Sequence, residues 1–214
     1  MKAREWQKYL EEQRRLHGKV LFTVTELANF AATSRVALNV ELARLRRQGA
    51  IEKYAHGVYG LPNAITPEML LPAMDSHAYL TGTYALYMHN LITQAPTRIT
   101  CFTDRRSPRA CERTTPVGRF IFICVRSRVY APPAEGVVAS PAQAFCDFIY
   151  VTRRQGNFSK GMVTFRGLAE RIMPELDSIL ERYPVTVQRQ ARERLYTREV
   201  HLPSRTTLVL QKQE

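Results

Sequence analysis

The stretch SRVALNV places Ser34, Arg35 and Asn39 within about one and a half helical turns, and Arg44 and Arg47 follow close behind. An Asn amide can pair bidentately with adenine, and a guanidinium can do the same with guanine, so this spacing suits reading base edges. Arg35 and Asn39 are the expected base readers. Ser34, Arg47, Lys53 and His56 are short or cationic side chains suited to phosphate oxygens, which fix register without carrying sequence information. Arg44 completes the basic side of the same segment.

Other chemistries find less support. His17, His56, His77, His89 and His201 form no H-x-H or H-x-x-x-H pair,. A nucleotidyltransferase would need a Gly-Ser turn followed by paired acids for Mg²⁺, and neither is present. No Gly-rich phosphate loop occurs, and the acids are scattered rather than gathered in the pattern of a nuclease. The expectation is a protein without enzymatic activity, cofactor or metal. Cys101, Cys111, Cys124 and Cys146 show no C-x-x-C spacing and are expected as reduced thiols,. Cys124 and Cys146 lie in apolar runs that suggest core packing. Cys101 and Cys111 are the weaker candidates for redox sensing.

The composition agrees with an anionic partner. The 214 residues carry 31 Lys+Arg against 19 Asp+Glu, a formal net charge of +12. Such an excess favours nucleic acid, because neutralising phosphates releases counterions. The apolar fraction of 45% is enough to build a core,. No apolar run approaches a membrane span, and the start, MKAREWQKYLEEQRR, lacks the core of a signal peptide,. A cytoplasmic protein is expected.

The elements that must hold these residues follow from periodicity and punctuation. Residues 3–17 read as an amphipathic helix with Trp6, Tyr9, Leu10 and Leu16 near one face, ended by His17-Gly18. A short strand at 19–22 follows. Thr23 or Thr25 can cap a second helix running to Phe30. Ala31-Ala32-Thr33 forms a tight turn, and Ser34 caps a third helix through Leu38, Leu42 and Leu45 to Gln48-Gly49. Two strands, 51–54 and 58–61, flank a hairpin tip at His56-Gly57. Helix, strand, helix, turn, helix and hairpin make a winged helix-turn-helix, whose third helix can enter a major groove. The predicted fold is α/β (α+β). Residues 1–62 are the winged helix, 63–76 a linker with a short helix, and 77–214 a mixed α/β domain.

In that second part, residues 77–91 read as one helix with Leu80, Tyr84, Tyr87, Met88 and Leu91 inward. Strands are expected at 97–103 and 119–131 and a helix at 141–153. Two or three helices over 161–198 are expected, broken at Pro174 and Pro184. Arg98, Arg105, Arg106, Arg109, Arg113 and Arg119, with Arg126 and Arg128 beyond them, face only Asp104 and Glu112 in the same stretch. Such a run can follow a phosphate backbone or an acidic partner. Equally, it can be a solvated face that keeps strands from pairing between molecules. Asp147, set between Phe145 and Phe148, is expected to be a buried carboxylate satisfied by an arginine.

The segments TVTELANFAATSRVALNVELARLRRQGAIEKYAHGVYGLP, AYLTGTYALYMHNLITQAPTRITCFTDRRSPR, TPVGRFIFICV and VVASPAQAFCDFIY come in a telling order. Over about residues 5–155 they resemble the AbiEi antitoxin family, the regulator half of type IV toxin–antitoxin operons. Leu45 to Ile51 carries the L-x-x-x-G-x-I spacing of bacterial winged helices. Met88-His89-Asn90-Leu91 matches the family's His-Gly-Leu-like segment, with Asn90 in the Gly position. Ser140-Pro141 through Asp147 matches its Ser/Thr-Pro-x-x-Ala-x-x-Asp helix. The resemblance implies a repressor of its own operon that binds promoter repeats in double-stranded DNA. It also implies functional pairing with a nucleotidyltransferase-like toxin, without a membrane, as a monomer or weak dimer. The alternative is a module whose Arg-rich second part binds an acidic protein or RNA.

Overall fold

Trp6 and Leu10 lie one turn apart on α1 (Ala3–His17) and are almost fully buried. The computed structural model describes residues 3–106, 111–154 and 163–199. Leu16, expected on the same face, is exposed: at 3.6 residues per turn it lies about a third of a turn round the helix from Leu10,. After β1 (Leu21–Thr23), Thr23 starts α2 (Val24–Ala31). Its hydroxyl accepts from the Glu26 N–H, and the Glu26 carboxylate accepts from the Thr23 N–H. This reciprocal cap settles the choice between Thr23 and Thr25 and is worth about 1 kcal/mol.

Ala32 takes the left-handed conformation at φ 46° and closes the turn into α3 (Arg35–Arg47). Ser34 caps α3 by accepting from the Ala37 N–H at 3.4 Å. Leu38, Leu42 and Leu45 then point into a core with Trp6, Leu10, Phe22, Leu27 and Ile51. The wing is β2 (Glu52–Ala55) and β3 (Val58–Gly60), and β3 sits between β1 and β2 in an antiparallel sheet. Gly57 at the tip has φ 71°, and its carbonyl accepts from the Val24 N–H, fastening the wing to the start of α2.

The segment read as a linker carries α4 (Pro67–Met74), capped by Thr66. Leu70 and Leu71 on this helix are fully buried. They share a core with Tyr54 and Val58 of the wing and with Ile99, Cys101, Phe120 and Phe122 of a second sheet.

That sheet begins with β4 (Tyr79–Thr81), where a helix over 77–91 was expected. Only α5 (Gly82–Met88) is helical, because Gly82 at φ 59° separates it from the strand. Tyr79, Leu80 and Thr81 are all buried, since both faces of the sheet are covered; a continuous apolar run does not distinguish such a strand from a helix,. The shorter helix also turns Tyr87 and Met88 outward and brings Ala85 and Leu86 inward. Past α5, Asn90 stands at φ 58° and the Leu91 N–H bonds back to the Leu86 carbonyl. This helix stop needs a left-handed residue, so Asn serves where Gly is usual.

β5 (Ile99–Thr103), β6 (Glu112–Thr115) and β7 (Gly118–Cys124) complete the sheet in the order β4-β5-β7-β6. β5 and β7 run parallel; the other pairs are antiparallel. The expected strand over 119–131 thus stops at Cys124, and β6 is an additional strand inside the Arg-rich stretch. Phe120 and Phe122 point inward on β7; Cys124 has the same parity but stands at the last position of the strand and is exposed, which corrects its core assignment,. Cys101 is buried in the core shared with α4, Cys146 is buried in a separate core around α6, and burial pushes both thiols up from their ordinary pKa.

The opposite face of the sheet is covered by helices. In α6 (Pro141–Arg154), Ala142 through Ile149 are all buried. α7 (Leu168–Leu180) and α8 (Val185–Glu199) pack against α6. Pro174 lies within α7 rather than ending it; its ring faces solvent, where water can satisfy the Glu170 carbonyl that loses its donor,. Pro184 does separate α7 from α8.

Candidate nucleic-acid interface

Helix α3 is held from one side only. With Leu38, Leu42 and Leu45 inward, helical geometry places Val36, Val40, Ala43 and Arg47 opposite, flanked by Arg35, Asn39 and Arg46,. All seven are exposed. Ser34 is exposed at the leading end, where the first backbone N–H groups of the helix add partial positive charge,.

The charges on this face are largely unneutralised. Among the described residues, Arg35, Arg46, Arg47 and Lys53 have no carboxylate within ion-pair distance. Arg44 differs from its neighbours. It is half-buried and its guanidinium donates to Glu41 at 2.6 Å, so it is committed within the helix. Lys53 is the exposed residue of β2, and His56 is exposed at the wing tip. Arg46 and Arg47 line an open cleft of about 640 Å³ between the end of α3 and the wing, with Glu52 and Asn63 on its other side. The sequence puts Val36 and Val40 away from the leucine side but assigns them no contact, and it leaves Arg46 out. A helical wheel anchored on the three leucines does find all three.

The arginines of the second part do not form one patch. Arg98 precedes β5, while Arg105 and Arg106 follow it, so a strand's length separates them. Arg113 is half-buried, lies 4.1 Å over the Phe122 ring and donates to the Met74 carbonyl. Arg119 pairs with Glu112 across the β6–β7 hairpin. Arg109 lies outside the described residues. The tertiary structure collects a different set: Arg106, Arg126, Arg128, Arg154 and Arg182 line a groove of about 860 Å³ beside Tyr150 and Cys124, with no carboxylate in its lining. Arg154 and Arg182 come from distant parts of the chain, so no local charge run could reveal the groupings.

Asp147 is fully buried and meets no arginine, contrary to expectation. Its carboxylate accepts from Thr81 Oγ1 at 2.7 Å, Tyr183 OH at 2.5 Å and Tyr79 OH at 3.2 Å, and Gln143 Nε2 donates to both oxygens. Burial pushes its pKa up to about 6, against the opposing pull of these four donors. The cluster joins β4 and α6 to the turn before α8, which marks it as a structural tie. His89 is likewise satisfied, with Nε2 2.8 Å from the Ala139 carbonyl.

The described residues contain no group of three or more His, Cys, Asp or Glu placed to hold a metal. Among them, no helix is long and apolar enough to cross a membrane.

The N-terminal architecture, with its helix pair, exposed third helix and wing, is that of a winged helix-turn-helix. Residues 7–62 match the family described as "Transcriptional regulator, AbiEi antitoxin", in agreement with the resemblance read from the sequence. The matched stretch begins in α1 and ends just after β3, so it spans nearly the whole winged helix. It supports a role in regulating transcription. No curated protein matches the chain.

Proposed function

We propose that this protein is a sequence-specific double-stranded DNA-binding repressor that works by binding and not by turnover. The observation that carries the reading is the outer face of α3, exposed along its length and flanked by Arg35, Asn39, Arg46 and Arg47. Arg35 and Asn39 read base edges; Ser34, Arg47, Lys53 and His56 hold phosphates. The family match extends the proposal to an antitoxin that represses its own promoter and opposes a toxin encoded beside it. Binding of the full chain to the duplex upstream of its reading frame, titrated with salt, tests this. Preference over a scrambled duplex is expected, with log affinity falling linearly against log salt. Equal affinity for both would overturn it. For the antitoxin role, coexpression should relieve growth arrest caused by the neighbouring gene.

A second reading rests on the groove of Arg106, Arg126, Arg128, Arg154 and Arg182. Five guanidiniums without a lining acid suit an acidic protein surface or RNA. In the repressor, the same groove would add affinity while α3 supplies specificity.

A further inference from the structure

We infer that Val36 and Val40 read thymine methyl groups, so that the operator carries A·T pairs at positions set by these two valines. This rests on the proposal that α3 enters the major groove. Val36 is 76% exposed and Val40 65%, the most exposed large apolar side chains of the winged helix. Neither is needed by the core, which Leu38, Leu42 and Leu45 fill from the opposite side.

Their setting selects the occupant. The valines and the exposed Ala43 form a narrow apolar stripe at the crest of α3, bordered by Arg35, Asn39 and Arg46 and ended by Arg47. An apolar protein surface laid on this stripe would desolvate several of those cations without replacing their partners. A major groove offers the complementary arrangement: phosphates along the rims and, on its floor, the thymine C5-methyl as its apolar group. Val36 and Val40 are one turn apart, about 6 Å along the axis. Base pairs rise by about 3.4 Å, so the contacted thymines should lie about two base-pair steps apart.

The experiment is selection of binding sites from random duplexes with the full chain, followed by thymine-to-deoxyuridine replacement in the selected site. That replacement removes only the methyl group. Two positions about two steps apart should each lose about fourfold in affinity, the value of one buried methyl-sized group. Val36→Ala and Val40→Ala should each abolish the deoxyuridine effect at one position while leaving thermal stability unchanged. Successful selection with equal affinity for thymine and deoxyuridine at every position would overturn this inference and leave the DNA-binding proposal standing. Failure to enrich any sequence would overturn both. If the alanine variants alter sedimentation while the deoxyuridine effect persists, the stripe serves self-association and the inference falls.

Discussion

At the level of single residues, the interface divides into readers and anchors, and the two kinds should fail differently. Arg35→Ala and Asn39→Ala are expected to remove about 1–3 kcal/mol of discrimination at one base pair each. A panel of single-base operator variants would show preference flattening at those positions. Lys53→Ala should weaken all duplexes alike and reduce the salt slope by about one. Arg44→Ala should change DNA affinity less than Arg47→Ala, because Arg44 already spends its charge on Glu41.

Asp147 makes a separate prediction at this scale. Its folded pKa, about 6, lies above the ordinary carboxylate value. The protonated form therefore favours the folded state, and this contribution is complete below about pH 4. It is lost as pH rises through about 6, at a cost approaching 3 kcal/mol, and is flat above that. Asp147→Asn should remove this slope from denaturation midpoints measured between pH 4 and 7. Asp147→Ala should destabilise at every pH, because the hydroxyls of Thr81, Tyr79 and Tyr183 lose their shared acceptor,.

Among the elements, the position of α3 depends on devices that never touch DNA. The Thr23–Glu26 cap starts α2, Ala32 bends the chain and Ser34 restarts it. Thr23→Ala should cost about 1 kcal/mol. Leu42→Ala, in the shared core, should cost about 2–5 kcal/mol, and either loss is measurable by chemical denaturation,. The elements of the winged helix were legible because their signals are local: a capping residue, a tight turn, leucines at helical spacing and a Gly at a hairpin tip. β4 and Pro174 were not. Tyr79-Leu80-Thr81 is buried on both faces, so it carries no alternation to mark it as a strand. Pro174 reads as a break only until its exposed position in α7 is known.

For the whole molecule, the wing is part of a larger core. Tyr54 and Val58 pack with Leu70 and Leu71 of α4 and with the second sheet. Unfolding is therefore expected as one cooperative calorimetric transition, with Leu71→Ala lowering its temperature without splitting it. Two resolved transitions would contradict this coupling. The basic groove belongs to this scale too. Arg126→Glu with Arg182→Glu should weaken binding to an acidic partner while leaving the operator preference of α3 intact.

The sequence by itself determined the winged helix and the face of α3 that is free to act, because helical periodicity links each residue to neighbours three and four places away. It also showed a net positive charge of +12, carried on either side of a stretch from 54 to 97 that has no Lys or Arg. Only the tertiary structure decided which charges act together. Arg44, Arg113 and Arg119 are occupied by Glu41, Phe122 and Glu112. Arg106, Arg126, Arg128, Arg154 and Arg182 converge from strand ends and helix ends. Likewise, Asp147 found its partners in hydroxyls 36 to 68 residues away, because packing, not proximity in the chain, determines what surrounds a buried carboxylate.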